Sequence, residues 1–415
     1  MSKIVPFKGY NPNPKLADKV ASLPYDVMST KEAKMMAEGN LYTFLRVEKS
    51  VIDFPDGFDE HSEPVYKKAA ENLQRMIKDG VLVQCKIPCF YIYRQKMGDV
   101  VQTGLVAGAS VEEYLNNIIK KHELTRKDKE DDRVRNVDTC NANTGPVFLT
   151  YPHKKEIDEL TADITARKPH IDFTADDGVI HTLWIVEDNN EVQKYVDLFA
   201  RVPYLYIADG HHRSAAASRV YELRRRKNPN HNGKEGYCYF LSVIFPDNQL
   251  YIMDYNRVVK DLHGHTPDQL INKIEEMFVI TEINVSDPNQ AKPKKRTEIS
   301  MYLDGKWYNM SAKKEIIPND PVKSLDVSLL QDNVLAPLLG IQDPRTDKRI
   351  DFVGGIRGMK ELVRRCNEDC KIAFAIYPTG MDQLMAIADA GQIMPPKSTW
   401  FEPKLRSGMI VRSLE

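Results

Sequence analysis

The chain has 415 residues, 42% of them hydrophobic and 28% charged, with 58 basic against 59 acidic side chains and a net charge of −1. Such a balance describes a globular protein with a sizeable core, and it gives no overall basic bias towards nucleic acid. No stretch approaches the ~18 apolar residues of a membrane-spanning helix, the opening MSKIVPFKGYNPN has no apolar signal core, and six cysteines do not make a disulfide framework, so a cytoplasmic protein with reduced thiols and no membrane partner is expected.

The N-terminal 60 residues mix Pro and Gly turns with a helix-like stretch from Ser29 to Glu38, where Ser29 is placed to cap. Glu63 to Asp79 has Tyr66, Ala69, Leu73 and Met76 at helical spacing. Strands are expected over Pro88–Gln95 and Val100–Ala109 around a Gly98-Asp99 turn, then a helix over Val111–Lys121. The charged run KKHELTRKDKEDDR (120 to 133) reads by itself as a solvated helix end or loop, and DTCNANTGPVF (138 to 148) as a loop running into an apolar strand. Strand Thr182–Val186 leads into helix Asn190–Phe199, and strand Tyr204–Ala208 into helix His211–Arg226. A polar loop follows at 227–235, then an expected hairpin of Tyr237–Phe245 with Leu250–Val259 over Pro246-Asp247-Asn248. Further on come a helix near Pro267–Met277, the linker-like SDPNQAKPKKR (286 to 296), strands near 297–311 around Asp304-Gly305, and a helix near Leu325–Leu339. The last part alternates strand Ile350–Val353, helix Met359–Cys366, strand Lys371–Tyr377 and helix Met381–Ala390. The class is mixed α/β.

The densest chemistry is YLYIADGHHRSAAA (204 to 217). Gly210 permits a sharp strand-to-helix turn. His211, His212 and Arg213 then stand at a helix start, where free N–H groups and the dipole favour an anion. Asp209, at the strand end, suits a metal or the orientation of a nucleophile, and the alanines let the helix pack closely. Read without chemistry, the same stretch is a helix start with solvated histidines; the coincidence of acid, Gly turn, two His and Arg favours a phosphate-handling site.

Other candidate stretches are His122, Glu123, Thr125, Arg126, Asp131, Asp132 and Arg133 in the charged run, Asp26 in the rigid turn of SLPYDVMS (22 to 29), and Arg349 in DPRTDKRIDFVGG (343 to 355). The last is ADAGQIMPPKSTWFEPKLRSG (388 to 408). There Pro395-Pro396 stiffens the chain ahead of Lys397, Ser398 and Thr399, as a phosphate clamp would need. It is not a Walker A loop, because Pro396 stands where that loop has glycine. The sequence has no HExxH, no GxSxG, no GxGxxG after a strand and no protein-kinase signature.

PYDVMS at 24 to 29, HELT at 122 to 125, IADGHHRSAAA at 207 to 217, RIDFVGG at 349 to 355 and MPPKSTWFEPKLRSG at 394 to 408 together resemble the DUF1015 family, over nearly the whole chain. That family is similar to ParB-like free-serine kinases, which share the Asp-Gly-His-x-Arg element, and some of its members are free L-serine kinases that use pyrophosphate. The resemblance implies a ParB-like core around the strand–DGHHR–helix element with an additional mixed-sheet lobe. It treats 1–415 as one family-wide unit, with lobes expected at 1–200 and 201–415. It also implies transfer of a phosphoryl group from pyrophosphate, ADP or ATP, with Mg²⁺, to the hydroxyl of L-serine.

On that reading Asp209, His211, His212, Glu123 and Asp26 are the catalytic candidates, Asp209 doubling as a metal ligand. Gly210, Arg213, Lys397, Ser398, Thr399 and Arg349 would bind phosphate, and His122, Thr125, Arg126 and Arg133 the amino-acid substrate. Tyr25, Tyr206 and Trp400 are the aromatic residues that would make a slot if the donor is a nucleotide. The rival readings are a metal-dependent phosphohydrolase, a ParB-like nucleotide or nucleic-acid binder, for which RRRK at 224 to 227 is the only basic helical run, and a non-catalytic binding protein.

Overall fold

A computed structural model describes residues 2–415. The chain divides into two compact units: one runs to Leu250 and takes up Pro403–Glu415, and the other is Tyr251–Glu402. The division thus falls at 250/251 and 402/403, in place of the expected 200/201. The reason is that Leu205–Asp209 is an interior strand of the first unit's sheet, so no boundary can precede it.

That sheet has nine strands. Its order is Ile119–Lys120, Leu205–Asp209, Val147–Tyr151, Tyr239–Pro246, Val100–Ser110, Phe90–Met97, Ile180–Val186 and Ile171–Thr174, with Ile4–Val5 added beside Val100–Ser110. It is mixed: Leu205–Asp209 runs parallel to Ile119–Lys120 and antiparallel to Val147–Tyr151, which in turn is parallel to Tyr239–Pro246. Tyr239–Pro246 is buried at every position, as a central strand must be. It pairs with Val100–Ser110, so the hairpin expected with Leu250–Val259 does not form; Tyr251–Met253 and Tyr255–Val259 belong to the second unit.

Local signals set several elements as expected. Ser29 accepts from the Glu32 N–H and Glu32 reaches back, a capping box that starts helix Thr30–Ala37. The helix expected over 111–121 is only Val111–Leu115, because Asn117 turns left-handed (φ 57°) and the chain continues into the edge strand Ile119–Lys120. The charged run instead opens helix Lys127–Cys140, which closes on a left-handed Asn141. That helix packs Val134 and Val137 against Ala216 and Val220 of helix His211–Lys227. Small alanines let the two helices approach.

Pro403–Glu415 is stitched into the first unit. Arg412–Ser413 pairs with Ala142–Asn143, Val411 bridges to Tyr10, and Ser407 bridges to Ser22. Gln95 and Gln102 donate to the carbonyls of Lys404 and Pro403. The second unit is built on a six-stranded antiparallel sheet, ordered Phe278–Ile283, Lys306–Ala312, Glu298–Leu303, Ile372–Ile376, Tyr255–Val259, Ile350–Gly354. The stretch 286–296 is no boundary: Ala291 within it is buried in that unit's core. No helix among the described residues is long and apolar enough to cross a membrane.

Candidate functional site

The strand Leu205–Asp209 slips register against Val147–Tyr151 between Ile207 and Asp209. Such a bulge re-aims the side chain that follows it. Gly210 then turns left-handed (φ 93°, ψ 28°) and starts the 17-residue helix His211–Lys227. A side chain at 210 would be strained by that φ.

The Asp209 carboxylate, 41% exposed, accepts from the Gly210 N–H at 2.8 Å and from Lys404 Nζ at 2.8 Å. Its surroundings push the carboxyl up by burial, but the Lys404 charge and hydrogen bond, the Gly210 N–H and Arg213 outweigh this and hold it at about 2. Asp209 is therefore a fixed anion across the working pH range.

Beside it lies a pair of buried imidazoles. His122 and His211 meet edge to face, ring centroids 4.5 Å apart, and are 2% and 5% exposed. Burial holds His122 down to about 4 against the pull of Asp209, and holds His211 well below its ordinary value, helped by His122. Both are neutral near pH 7. His211 Nδ1 faces the Glu123 carboxylate at 3.5 Å, and Glu123 is 48% exposed. His122 Nδ1 and His211 Nε2 are buried without a hydrogen-bond partner. An unpaired buried polar atom costs roughly 1–3 kcal/mol.

His212 points elsewhere: its Nε2 accepts the Arg126 N–H at 3.1 Å. Burial lowers its pKa, opposed by the charge of Asp26, which places that exposed carboxylate in its vicinity. Thr125 Oγ1 donates to Glu130, and Arg126, 72% exposed, pairs with Asp128.

Arg213 is occupied within the protein. Its Nη1 donates to the Pro146 carbonyl at 2.9 Å and its Nη2 lies 3.4 Å from Glu48. Arg133 is buried between Asp132 at 2.7 Å and Glu48 at 3.7 Å, and both guanidiniums lie over the Tyr25 ring, at 3.9 and 5.5 Å. Glu48 itself is buried, and its Oε1 faces no protein donor. A cavity of about 20 Å³ bordered by Glu48, Arg133, Asn136, Thr144 and Arg213 has room for one water. Gly145 leaves the space for Arg213: a Cβ there would stand 2.6 Å from the guanidinium carbon.

The structure thus gathers Asp209, Gly210, His211, His122 and Glu123 at one place, with His212, Arg126 and Asp26 on the adjoining face. It commits Arg133 to internal ion pairs. Lys397, Ser398, Thr399 and Arg349 belong to the second unit. There Arg349 pairs with Asp347 at 2.8 Å and donates to the carbonyls of Leu339 and Gly340, which makes it a loop clamp. Two residues at the site have no role assigned to them from the sequence. Lys404 carried a signal, standing in the EPKLRSG that follows the Pro-Pro-Lys turn; Glu48 carried none, since it lies in an ordinary short helix, Leu45–Glu48.

No curated protein matches the sequence. Among solved structures, a free serine kinase in complex with AMP shares 10% identity, with 72% of this chain and 86% of that chain covered, at a TM-score of 0.33. SbnI with a C-terminal truncation, from Staphylococcus aureus, shares 10% identity over 72% of this chain and 82% of its own, at a TM-score of 0.38. A conserved hypothetical protein from Pyrococcus furiosus shares 13% over 74% and 95%, at a TM-score of 0.34. The family model described as "Protein of unknown function (DUF1015)" matches residues 4–328, and the chain belongs to that family.

Proposed function

We propose that the protein is a phosphotransferase that moves a phosphoryl group onto the hydroxyl of free L-serine, with pyrophosphate, ADP or ATP as donor. The observation that carries this reading is the pair of buried, neutral imidazoles of His122 and His211, each with one ring nitrogen that meets no hydrogen-bond partner, beside the fixed anion Asp209 and the half-exposed Glu123. Unsatisfied buried groups and displaced pKa values gather where chemistry is done. Serine as acceptor and pyrophosphate as donor follow from the family resemblance.

In this reading Glu123 takes the serine Oγ proton, being the carboxylate that a small molecule reaches from solvent. Neutral His211, with Nδ1–H towards Glu123, orients it. The serine oxygen attacks phosphorus, the bond to the leaving phosphate breaks, and O-phospho-L-serine and the shortened donor result. Positioning and charge neutralisation supply most of the catalysis. Arg126, reachable at the surface, is assigned the substrate carboxylate, since Arg133 is already committed. Were Mg²⁺ the cofactor, Asp209, ionised and partly exposed, would be the residue here to hold it, since such an ion demands only one or two protein carboxylates. When bound, the ion supplies neutralisation of phosphoryl oxygens.

The test is ³¹P NMR of the protein with Mg²⁺ and L-serine, run separately with pyrophosphate, ADP and ATP. A phosphoserine resonance with one donor supports the reading and picks the donor. Orthophosphate formed at the same rate with and without serine refutes it in favour of a hydrolase.

A further inference from the structure

In the second unit, Arg257 lies on the strand Tyr255–Val259 and is 3% exposed. Among the described residues no carboxylate pairs with it. Its Nη2 donates to the Pro396 carbonyl at 3.3 Å and its Nη1 to the Tyr255 carbonyl, with the Phe352 ring 5.4 Å away. These bonds occupy two of the five N–H donors of a guanidinium. Burial holds its pKa down to about 9. A buried charge without a counter-charge is a net cost, and an apolar side chain of the same volume serves packing better.

A second observation points to the same spot. Lys397 follows Pro396 directly and adopts φ 58°, a left-handed conformation that non-glycine residues rarely take. Its loop is locked there, because Ser398 Oγ donates to the Pro395 carbonyl at 2.6 Å and the Ser398 carbonyl accepts from Thr379 at 3.1 Å. The Lys397 ammonium lies 5.5 Å from the Tyr255 ring and, among the described residues, meets no acid. The acids of the neighbourhood are engaged elsewhere. Asp254 takes Asn256 and Lys292, Asp351 takes Arg365, and Glu402 takes the Trp400 N–H. Arg257 and Lys397 thus each lie beside one ring of the packed pair Phe352 and Tyr255, neither paired with an acid among the described residues, and the left-handed backbone fixes the loop that carries Lys397.

We propose that Arg257 and Lys397 form an anion site of the phosphate class within the second unit. The proposal rests on the phosphate role expected of Lys397 and adds Arg257 as its buried partner. Arg supplies a planar fork for oxyanions and Lys a point charge, a pairing suited to a phosphoryl group. Free pyrophosphate and the phosphates of a nucleotide share that chemistry. Tyr255 and Trp400, edge to face at 5.1 Å, offer a nucleotide base a surface that pyrophosphate does not use.

The experiment is calorimetric titration of the full chain with phosphate, pyrophosphate and ADP, each without serine, so that no turnover is needed. Binding of at least one ligand is expected, weakened tenfold or more by Lys397→Ala and lost in Arg257→Met. Tighter binding of ADP than of pyrophosphate identifies a nucleotide site, and the reverse order identifies a pyrophosphate site. Thermal melts separate a ligand role from a structural one. Arg257→Met without ligand should melt at or above the wild-type temperature and should lack the upward shift that ligand gives the wild type. A destabilised Arg257→Met together with unchanged binding in the exposed variant Lys397→Ala overturns the proposal. So does binding that survives both substitutions and disappears in Asp209→Asn, which assigns the ligand to the first unit. Absence of phosphoserine with this binding intact removes the kinase reading and leaves the anion site standing.

Discussion

Replacing Lys404 with Met strips the cation from Asp209 and leaves the carboxylate its shape. The carboxyl, ordinarily near 3.8, is held at about 2. For a fully sheltered group that displacement corresponds to roughly 2.5 kcal/mol; with the carboxylate 41% exposed, solvent reduces it to about 1 kcal/mol. The folded pKa is depressed, so the contribution is complete above the unfolded value near 3.8 and fades as pH falls towards 2. A double-mutant cycle of Lys404→Met and Asp209→Asn, read by urea unfolding, should therefore give a coupling of about 1 kcal/mol at pH 7. At pH 3 the coupling should be smaller, and added salt should weaken it further. In Lys404→Met, burial is left to act on Asp209, so its carboxyl should titrate at higher pH. A coupling of zero at pH 7, or one equal at pH 7 and pH 3, refutes the assignment of Lys404 as the group that keeps Asp209 ionised.

Three further outcomes are expected. His122, ordinarily near 6.5 and held at about 4, makes the folded state resist protonation, so stability is lost as pH falls from 6.5 to 4, by about 3 kcal/mol; unfolding of His122→Leu over that range should lack this part of the acid slope. Gly145→Ala drives a Cβ into the Arg213 guanidinium and breaks its hold on Pro146 and Glu48; it should cost about 1–2 kcal/mol in a thermal melt. Asp326, 8% exposed, is pushed up by burial to about 7, with the Thr297 N–H opposing. Its raised pKa means that wild-type stability falls as pH rises from about 4 to 7, by up to about 4 kcal/mol; an Asp326→Asn variant that showed the same fall would disprove this source.

The strand–DGHHR–helix element was legible because it is local: an apolar run, a glycine at the turn and alanines behind it define three successive states within 14 residues. Helix Lys127–Cys140 was harder to see. Its apolar stripe is sparse, with Val134 and Val137 as its main core contacts, and the charges around them read as solvated chain until Arg133 and Asp132 find partners inside. The hairpin expected after Tyr237 failed for a topological reason: a strand buried on both faces is claimed by whichever neighbours close the sheet, and sequence adjacency does not choose them. The same limit hid the pairing of Lys404: the lysine stands in a stretch the sequence marks, but its partner Asp209, 195 positions away, is fixed only when the chain is folded.

The interruption of the first unit by Tyr251–Glu402 has a consequence for biosynthesis. Asp209, His122, Glu123 and His211 all precede residue 251, and the lysine that pairs with Asp209 comes after a further 153 residues. Until then the nascent chain carries a carboxylate without its lysine and the strand Ala142–Asn143 without its partner Arg412–Ser413. The segment Pro403–Glu415 therefore supplies two things late: the lysine that sets the charge of Asp209, and the strand that pairs with Ala142–Asn143.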